Sequence, residues 1–399
     1  MHAVSTPVDG ELDLNDVAAG DGYLFVRDGV GFAGRGVAAR VPADEAASFL
    51  ASVEHDDRVG DTPGPIALGA IPFLPGSPAE LIVPGLIVGK DRTGRTWQTH
   101  VTARPDGGDP QNGAPAVEVA APASAGGYSI RPGVAVEHYL TAVAAARDAV
   151  RAGRMAKAVI ARPIIIDSDK PIDVHAVLLR LKASFGSSYR FSIDGFIGAS
   201  PELLVEVDGD AVRSHPLAGT TRTTGDPDLD AKLAAELHAS PKNRIEHDAA
   251  IAMVRDTLLP YCSYLDWAPE PSIVKVANVQ HLGSQAEGRL SKPTPSVIEL
   301  VRALQPTPAV GGHPRDAAIE LITRVEGFER GLYGGTVGWV DAHGNGTWAV
   351  SLRCAELSPD RHSARLVAGG GIVADSDPES ELAETQAKFQ AMLSAIVRP

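Results

Sequence analysis

Cysteine is nearly absent from this chain. Two thiols in 399 residues, Cys262 and Cys354, leave no disulfide framework, and no Cys-x-x-Cys spacing exists that could hold zinc or run thiol exchange. Both read as buried thiols. Basic charge is also scarce: 36 Lys and Arg face 50 Asp and Glu, a formal net charge of −14. That balance removes the broad basic face that nucleic acid or an anionic membrane would need as main partner. No apolar run approaches the length of a membrane span, and the opening residues lack the basic start and apolar stretch of a secretory leader. A Gly-x-Ser-x-Gly elbow, a phosphate loop and a His-Glu-x-x-His stretch are missing as well. What remains is a soluble acidic protein, 44% hydrophobic and long enough to bury a large core, expected in a reducing cytoplasm without nucleic acid or membrane as partner.

Residues 1–125 alternate short apolar runs, such as 22–27 and 81–88, with Gly, Pro and Asp turns. They predict strands, one helical stretch around 43–53, and no recognisable chemistry. The small residues at 119–127 predict a connection, so that 1–125 and 126–399 form two parts of one fold. Beyond it the pattern predicts a helix over 136–152 with Gly153 at its C-terminal end, a strand over 157–166 and a helix over 174–185. Strands follow at 190–197, at 203–207 and, after an Asp208-Gly209 turn, at 211–214. Ser240-Pro241 opens a helix with Ile251, Val254 and Leu258 on its apolar side. A hairpin is expected over 336–357 turning at 343–346, then a strand over 364–368 that ends in Gly369-Gly370-Gly371. Asp377-Pro378 opens the last helix. Strands and helices are interspersed without regular alternation, which predicts one large mixed α/β domain.

Several polar residues stand out against this frame. Glu381, Glu384 and Lys388, three and four apart, project from one helix face. With Glu246 on the earlier helix they could hold a hard divalent cation; a solvated helix side with a Glu384–Lys388 ion pair is the plainer reading. The backbone of Gly369, Gly370 and Gly371 could approach a carboxylate closely, or form only a tight turn. Arg353, set by strand alternation opposite to Leu352 and Cys354, is either a carboxylate partner or an exposed strand arginine. Lys157 opens an apolar strand and suits a base. Glu202, after Ser200-Pro201, suits the complementary acid. Each also reads as a charge at a strand end, and His281 as a structural histidine. Singly these signals underdetermine the function.

Together, from about Val136 to the C terminus, they resemble the chorismate-utilising enzymes, the family of isochorismate, salicylate, anthranilate and aminodeoxychorismate synthases. The resemblance rests on Lys157-Ala-Val-Ile-Ala-Arg162, Ala199-Ser-Pro-Glu-Leu-Leu204, Pro216-Leu-Ala-Gly-Thr-Thr-Arg222, Glu246-His247 and Asn278-Val-Gln-His-Leu282. It continues through Gln305-Pro-Thr-Pro-Ala-Val-Gly-Gly312, Ser351-Leu-Arg353, Ala368-Gly-Gly-Gly-Ile372 and Glu381-Leu-Ala-Glu-Thr385. It implies an α+β fold of the anthranilate synthase component I type, a large and mostly antiparallel sheet core flanked by helices.

The resemblance further implies Mg2+ between Glu246 and Glu384, with Glu381 close by, binding the ring carboxylate of chorismate. Arg353, Tyr333, Gly219, Thr220, Lys388 and the backbone of Gly369, Gly370 and Gly371 would hold the substrate's carboxylates, and His281 would line the ring pocket. Lys157 would be the base that activates water for attack at C2, and Glu202 the acid that protonates the departing C4 hydroxyl. Ammonia-using members carry glutamine where this chain has Lys157, and the 306–312 stretch resembles isochorismate synthases. The expected activity is therefore a magnesium-dependent isochorismate synthase, working as a monomer. The alternatives are a salicylate synthase, which would differ around Ala309 and Val310, and a silent chorismate-binding protein. Two positions depart from the pattern: Asn243 where many relatives are acidic, and Gln305 where histidine is frequent.

Overall fold

The computed structural model describes residues 1–103, 126–276 and 279–398; most of the expected connection at 119–127, and Asn278 of the 278–282 motif, lie outside them. Among the described residues two large sheets and one small one carry the fold. The first has thirteen strands. Its path runs Tyr128–Pro132, Lys157–Ser168, Ser363–Ile372, Cys354–Leu357, Phe196–Ser200, Tyr189–Ile193, Tyr23–Arg27, Val30–Arg35, Leu86–Lys90, Thr96–Thr102, His2–Pro7 and Glu54–Asp57. The short strand Gly312–His313 pairs with the start of Lys157–Ser168. The second sheet has nine strands, running from Cys262–Trp267 through Ala286–Leu290, Ala211–His215, Leu203–Asp208, Gly346–Val350, Thr336–Asp341, Ile66–Ile71 and Glu80–Val83 to Ala39–Pro42. A three-stranded sheet, Leu217–Arg222, Val279–Gly283 and Ser272–Val276, completes the set. The pairing is antiparallel except where His2–Pro7 meets Glu54–Asp57, so the expected antiparallel-rich α+β fold holds.

Strand alternation explains the layers. Along Tyr23–Arg27, Phe25 points between the two large sheets, into a core with Phe191, Ile66, Leu68 and Trp348. Leu24 and Val26 point the other way, under the helices Val174–Phe185 and Pro378–Val397. Along Lys157–Ser168, Ala158 and Ile160 turn outward beneath the helices Val136–Arg151 and Arg315–Val325. The buried face of Val136–Arg151 is largely alanine, at 142, 146 and 149, which lets it lie close to the sheet. Asp173, Ser240 and Asp377 cap their helices by accepting from backbone amides.

Four readings need correction. The 190–197 stretch is two strands joined at Asp194-Gly195, both with positive φ (48° and 80°), a turn whose twist suits a tight hairpin. The helix Pro227–Ala239 goes unannounced because its periodicity is weak: Asp230 and Leu237 are its buried residues. The 336–357 stretch is no single hairpin, for Thr336–Asp341 and Gly346–Val350 pair in the second sheet while Cys354–Leu357 lies in the first. The glycine triplet stands inside Ser363–Ile372, paired with residues 159–161, and not in a turn after it. Cys354 is buried as expected, whereas Cys262, on an edge strand, is only partly so.

Gly312 seats the short strand against Lys157. It has φ +143°, and a Cβ there would lie 2.4 Å from Lys157 O. We expect Gly312→Ala to cost about 2 kcal/mol or more in urea denaturation, since the clash is with backbone.

Candidate active site

Two places where the chain passes between the large sheets build the site. Residues 201–202 leave Phe196–Ser200 in the first sheet for Leu203–Asp208 in the second, and residues 351–353 return from Gly346–Val350 to Cys354–Leu357. The crossings hold each other. Val350 N–H donates to Glu202 O (3.1 Å), Ser200 Oγ donates to Val350 O (2.5 Å), and Ala199 N–H donates to Arg353 O (3.1 Å). Glu202 sits on the outgoing crossing and Arg353 on the returning one. Arg353 is therefore not a strand residue presented by alternation; it sits in the left-handed region, φ +50°, which turns it into the gap between the sheets.

That gap is a cavity of about 280 Å³ lined by every predicted site residue except Gly370. The first sheet contributes Lys157, at the start of its strand, and Gly369 and Gly371 beside it. Gly369 O accepts from Lys388 Nζ (2.7 Å). On an antiparallel strand a residue's N–H and C=O point the same way, so the Gly369 and Gly371 amides face this same edge. The small sheet contributes Gly219, Thr220 and His281. Gly219 is a bulge, φ +74°, between the pairs Ala218–Leu282 and Thr220–His281. A Cβ on Gly219 would press on Asn243 at 3.1 Å. The helix Pro241–Leu258 delivers Glu246, and Pro378–Val397 delivers Glu381, Glu384 and Lys388.

Electrostatics divide the site into a neutral side and an ionic side. Glu202 is 2% exposed, and burial pushes its carboxyl up to about 8, against the opposing pull of the Leu217 amide and Lys157. It is a carboxylic acid at neutral pH. Burial, with Arg353 and Lys388 nearby, lowers His281 to about 3. Its Nδ1 lies 3.0 Å from Thr220 Oγ1 and 3.3 Å from Gly219 O, while Nε2 is buried without a partner. Tyr333 is pushed upward by burial and stays a phenol. Burial lowers Arg353 from its usual range, and its Nη1 is buried without a partner. On the ionic side Lys157 Nζ meets Glu246 Oε1 at 2.5 Å and Lys388 Nζ meets Glu384 Oε1 at 2.7 Å.

The acidic residues converge on the glycine strand. A Cβ on Gly370 would lie 2.5 Å from Glu381 Oε2 and 3.9 Å from Glu384 Oε1, and one on Gly371 would lie 3.4 Å from Glu246 Oε1. Successive residues of a strand face opposite sides, so Glu381 and Glu384 close on one face of the bare backbone and Glu246 on the other. Glu381 is the most enclosed of the three, its Oε1 accepting from Ser376 Oγ at 2.8 Å. Among the described residues no group of three such side chains closes round one point. Two carboxylates of hard oxygen, open toward the cavity, nonetheless suit Mg2+, which keeps waters and takes further ligands from an anionic substrate. Leu217 also lines the cavity but acts through its amide, which leaves no side-chain signature in the sequence, and Asn243, the departure from the family pattern, lines it too.

These features define a cavity in which an arginine, two lysines and backbone amides suit a small anionic molecule, beside one neutral acid. The family profile described as Chorismate binding enzyme matches residues 118–397, and the chain belongs to that family. It is 36% identical over 343 residues to the isochorismate synthase DhbC of Bacillus subtilis (strain 168), covering 83% of this chain and 81% of that one. It is 34% identical over 350 residues to the isochorismate synthase EntC of Escherichia coli (strain K12), covering 86% and 84%. The solved structure of MenF, the menaquinone-specific isochorismate synthase from Escherichia coli, superposes with a TM-score of 0.84 over 99% of this chain and 94% of that one. At 23% identity that likeness speaks for the fold. Anthranilate synthase component I from Streptococcus pneumoniae shares it, with a TM-score of 0.71 over 98% and 92% and 22% identity.

Glu202 carries a measurable signature. The unfolded chain gives up this proton at its ordinary 4.5, the folded one at about 8. Between those values the unfolded state binds fewer protons, so stability falls as pH rises, and the loss is complete above about 8. Measured by urea unfolding across that window, the native protein should lose about 1.4 kcal/mol per pH unit relative to Glu202→Gln; parallel curves would show a carboxylate that titrates normally.

Proposed function

We propose that this protein is a magnesium-dependent isochorismate synthase. The observation that carries the reading is the buried acid: Glu202, 2% exposed and held above the ordinary carboxylate range by burial, stands on the wall of a cavity that Lys157 also lines. Hydroxide is a poor leaving group unless protonated as it departs, and an acid poised near the working pH serves that step best. The relatives named isochorismate synthases support the choice of reaction.

In this reading Arg353, the Gly369 and Gly371 amides and Lys388 bind the two carboxylates of chorismate and hold the ring between Lys157 and Glu202. Once its Nζ has released to solvent the proton it holds toward Glu246, Lys157 takes a proton from water as the water oxygen bonds to C2, and it later returns that proton through solvent to Glu202. Both ring double bonds shift, C1=C2 to C1=C6 and C5=C6 to C4=C5, the C4–O bond breaks, and Glu202 donates its proton so that the hydroxyl leaves as water. One water enters and one departs, so the reaction is an isomerisation. The hydrogen bond from Lys157 to Glu246 must be given up for this. Glu246 and Glu384, with Glu381 behind them, are the residues that would hold Mg2+; bound there, the ion would offset the charge of the ring carboxylate. His281, neutral, presents Nε2 to the ring pocket without adding charge.

The first test is incubation of purified protein with chorismate, with and without Mg2+, and chromatographic separation of the products with fluorescence detection of salicylate. A magnesium-dependent mixture of chorismate and isochorismate is expected. Salicylate with pyruvate would move the assignment to a salicylate synthase, and unchanged chorismate would leave a binding protein. Lys157→Ala should lower turnover by roughly 10²- to 10⁴-fold while calorimetry still detects chorismate binding. Loss of binding in step with turnover would remove Lys157 from the role of base.

A further inference from the structure

The buried pair Glu326 and Arg330 takes no part in the chemistry above, yet it touches both walls of the site. The two residues are 2% and 4% exposed. Arg330 Nε donates to Glu326 Oε2 (2.9 Å) and Nη2 to Glu326 Oε1 (2.5 Å), a two-pronged ion pair. The other contacts go to main chain: Nη2 to Val159 O and Nη1 to Val310 O, both at 2.7 Å. The guanidinium carbon lies 4.3 Å from the centre of the Phe73 ring. Glu326 Oε1 also accepts the Ala161 amide at 2.7 Å.

These contacts fall where the strand Lys157–Ser168 lacks an outer neighbour. Gly312–His313 pairs with Lys157 and Ala158, and Tyr128–Pro132 takes up the pairing at Ile164. In between, Val159 N–H donates to Gly311 O (2.8 Å), while the ion pair completes Val159 O and Ala161 N. One guanidinium therefore ties the strand that begins with Lys157 to the turn that carries Ala309, and the chain then enters the cavity at Tyr333. A buried ion pair is weak evidence for stability, since apolar residues of equal volume often do as well. Here apolar residues would leave three buried backbone groups unpaired.

Resting on the isochorismate synthase reading, we infer that Glu326 and Arg330 are positioning residues that fix Lys157 relative to the Ala309 wall. They set the course of the reaction at C2 and not the affinity for chorismate. Lysine at 330 would keep the charge but not the fork. The full-length protein, Arg330→Lys and Glu326→Gln are compared by thermal melting, chorismate affinity by calorimetry, kcat with Mg2+, and pyruvate released per isochorismate formed. For a folded variant, affinity should stay within about threefold while kcat falls at least about tenfold, the scale expected of a misplaced reacting group. The pyruvate ratio should rise as the wall loosens. Should Arg330→Lys not fold, Glu326→Gln, which keeps an acceptor for the Ala161 amide, decides by the same readouts. An unchanged kcat and product ratio, or affinity and kcat lost together, would overturn the inference while a converting native protein leaves the synthase reading intact. A native protein that binds chorismate without converting it would overturn both.

Discussion

The mutual clamp between the two sheet crossings is the constraint on which the site depends. A strand that changes sheets must break its ladder for a few residues, and each broken residue carries an amide and a carbonyl that need partners in a buried setting. Here the crossings at 201–202 and 351–353 supply partners to each other through Ala199, Ser200, Glu202, Val350 and Arg353. The arrangement satisfies the backbone and aims two side chains of opposite character, a buried carboxyl and a guanidinium, into the space where the sheets part. Non-glycine residues with positive φ are uncommon and cluster where function over-determines the backbone; Arg353 at +50° fits that pattern.

The same geometry answers how a chain of formal charge −14 can take a doubly anionic ligand. Net charge governs the far field, whereas binding is decided within a few ångströms, where Arg353, Lys157, Lys388 and glycine amides meet the cavity. Lys157 and Lys388 each neutralise one glutamate, while the Arg353 guanidinium faces the cavity with Nη1 unpartnered. An anionic substrate, or a cation under Glu246 and Glu384, would exchange these partners without burying an isolated charge.

Much of this was legible in the sequence, and the reasons for the rest are physical. Long periodic stretches such as Val174–Phe185, and caps such as Ser240 and Asp377, state their own structure locally. Glu381, Glu384 and Lys388 could be placed on one helix face from spacing alone. Arg353 could not: nothing local marks Ser351–Arg353 as the end of a ladder, because the break is imposed by the partner strands Phe196–Ser200 and Ser363–Ile372. The glycine triplet was misread for the reverse reason. Glycine usually punctuates a strand, but here the close approach of Lys157, Glu246 and Glu381 makes the absence of a side chain the condition for continuing it. The state of Glu202 was legible least of all, since its proton is held by burial that only the assembled sheets create.

That proton shows how the fold and the site are linked energetically. A lone buried carboxyl above its ordinary range is a local violation of what stabilises proteins, and it persists only where surrounding structure is stable enough to impose it. The surroundings here are the aromatic and aliphatic core between the two large sheets, with Phe25, Phe191 and Trp348 at its centre. Residues 1–103 contribute about two fifths of that core without supplying any residue to the cavity wall. Their part in the chemistry is indirect: they supply the packing against which Glu202 is kept dry, and weakening them would let water reach the acid and return it toward an ordinary carboxylate.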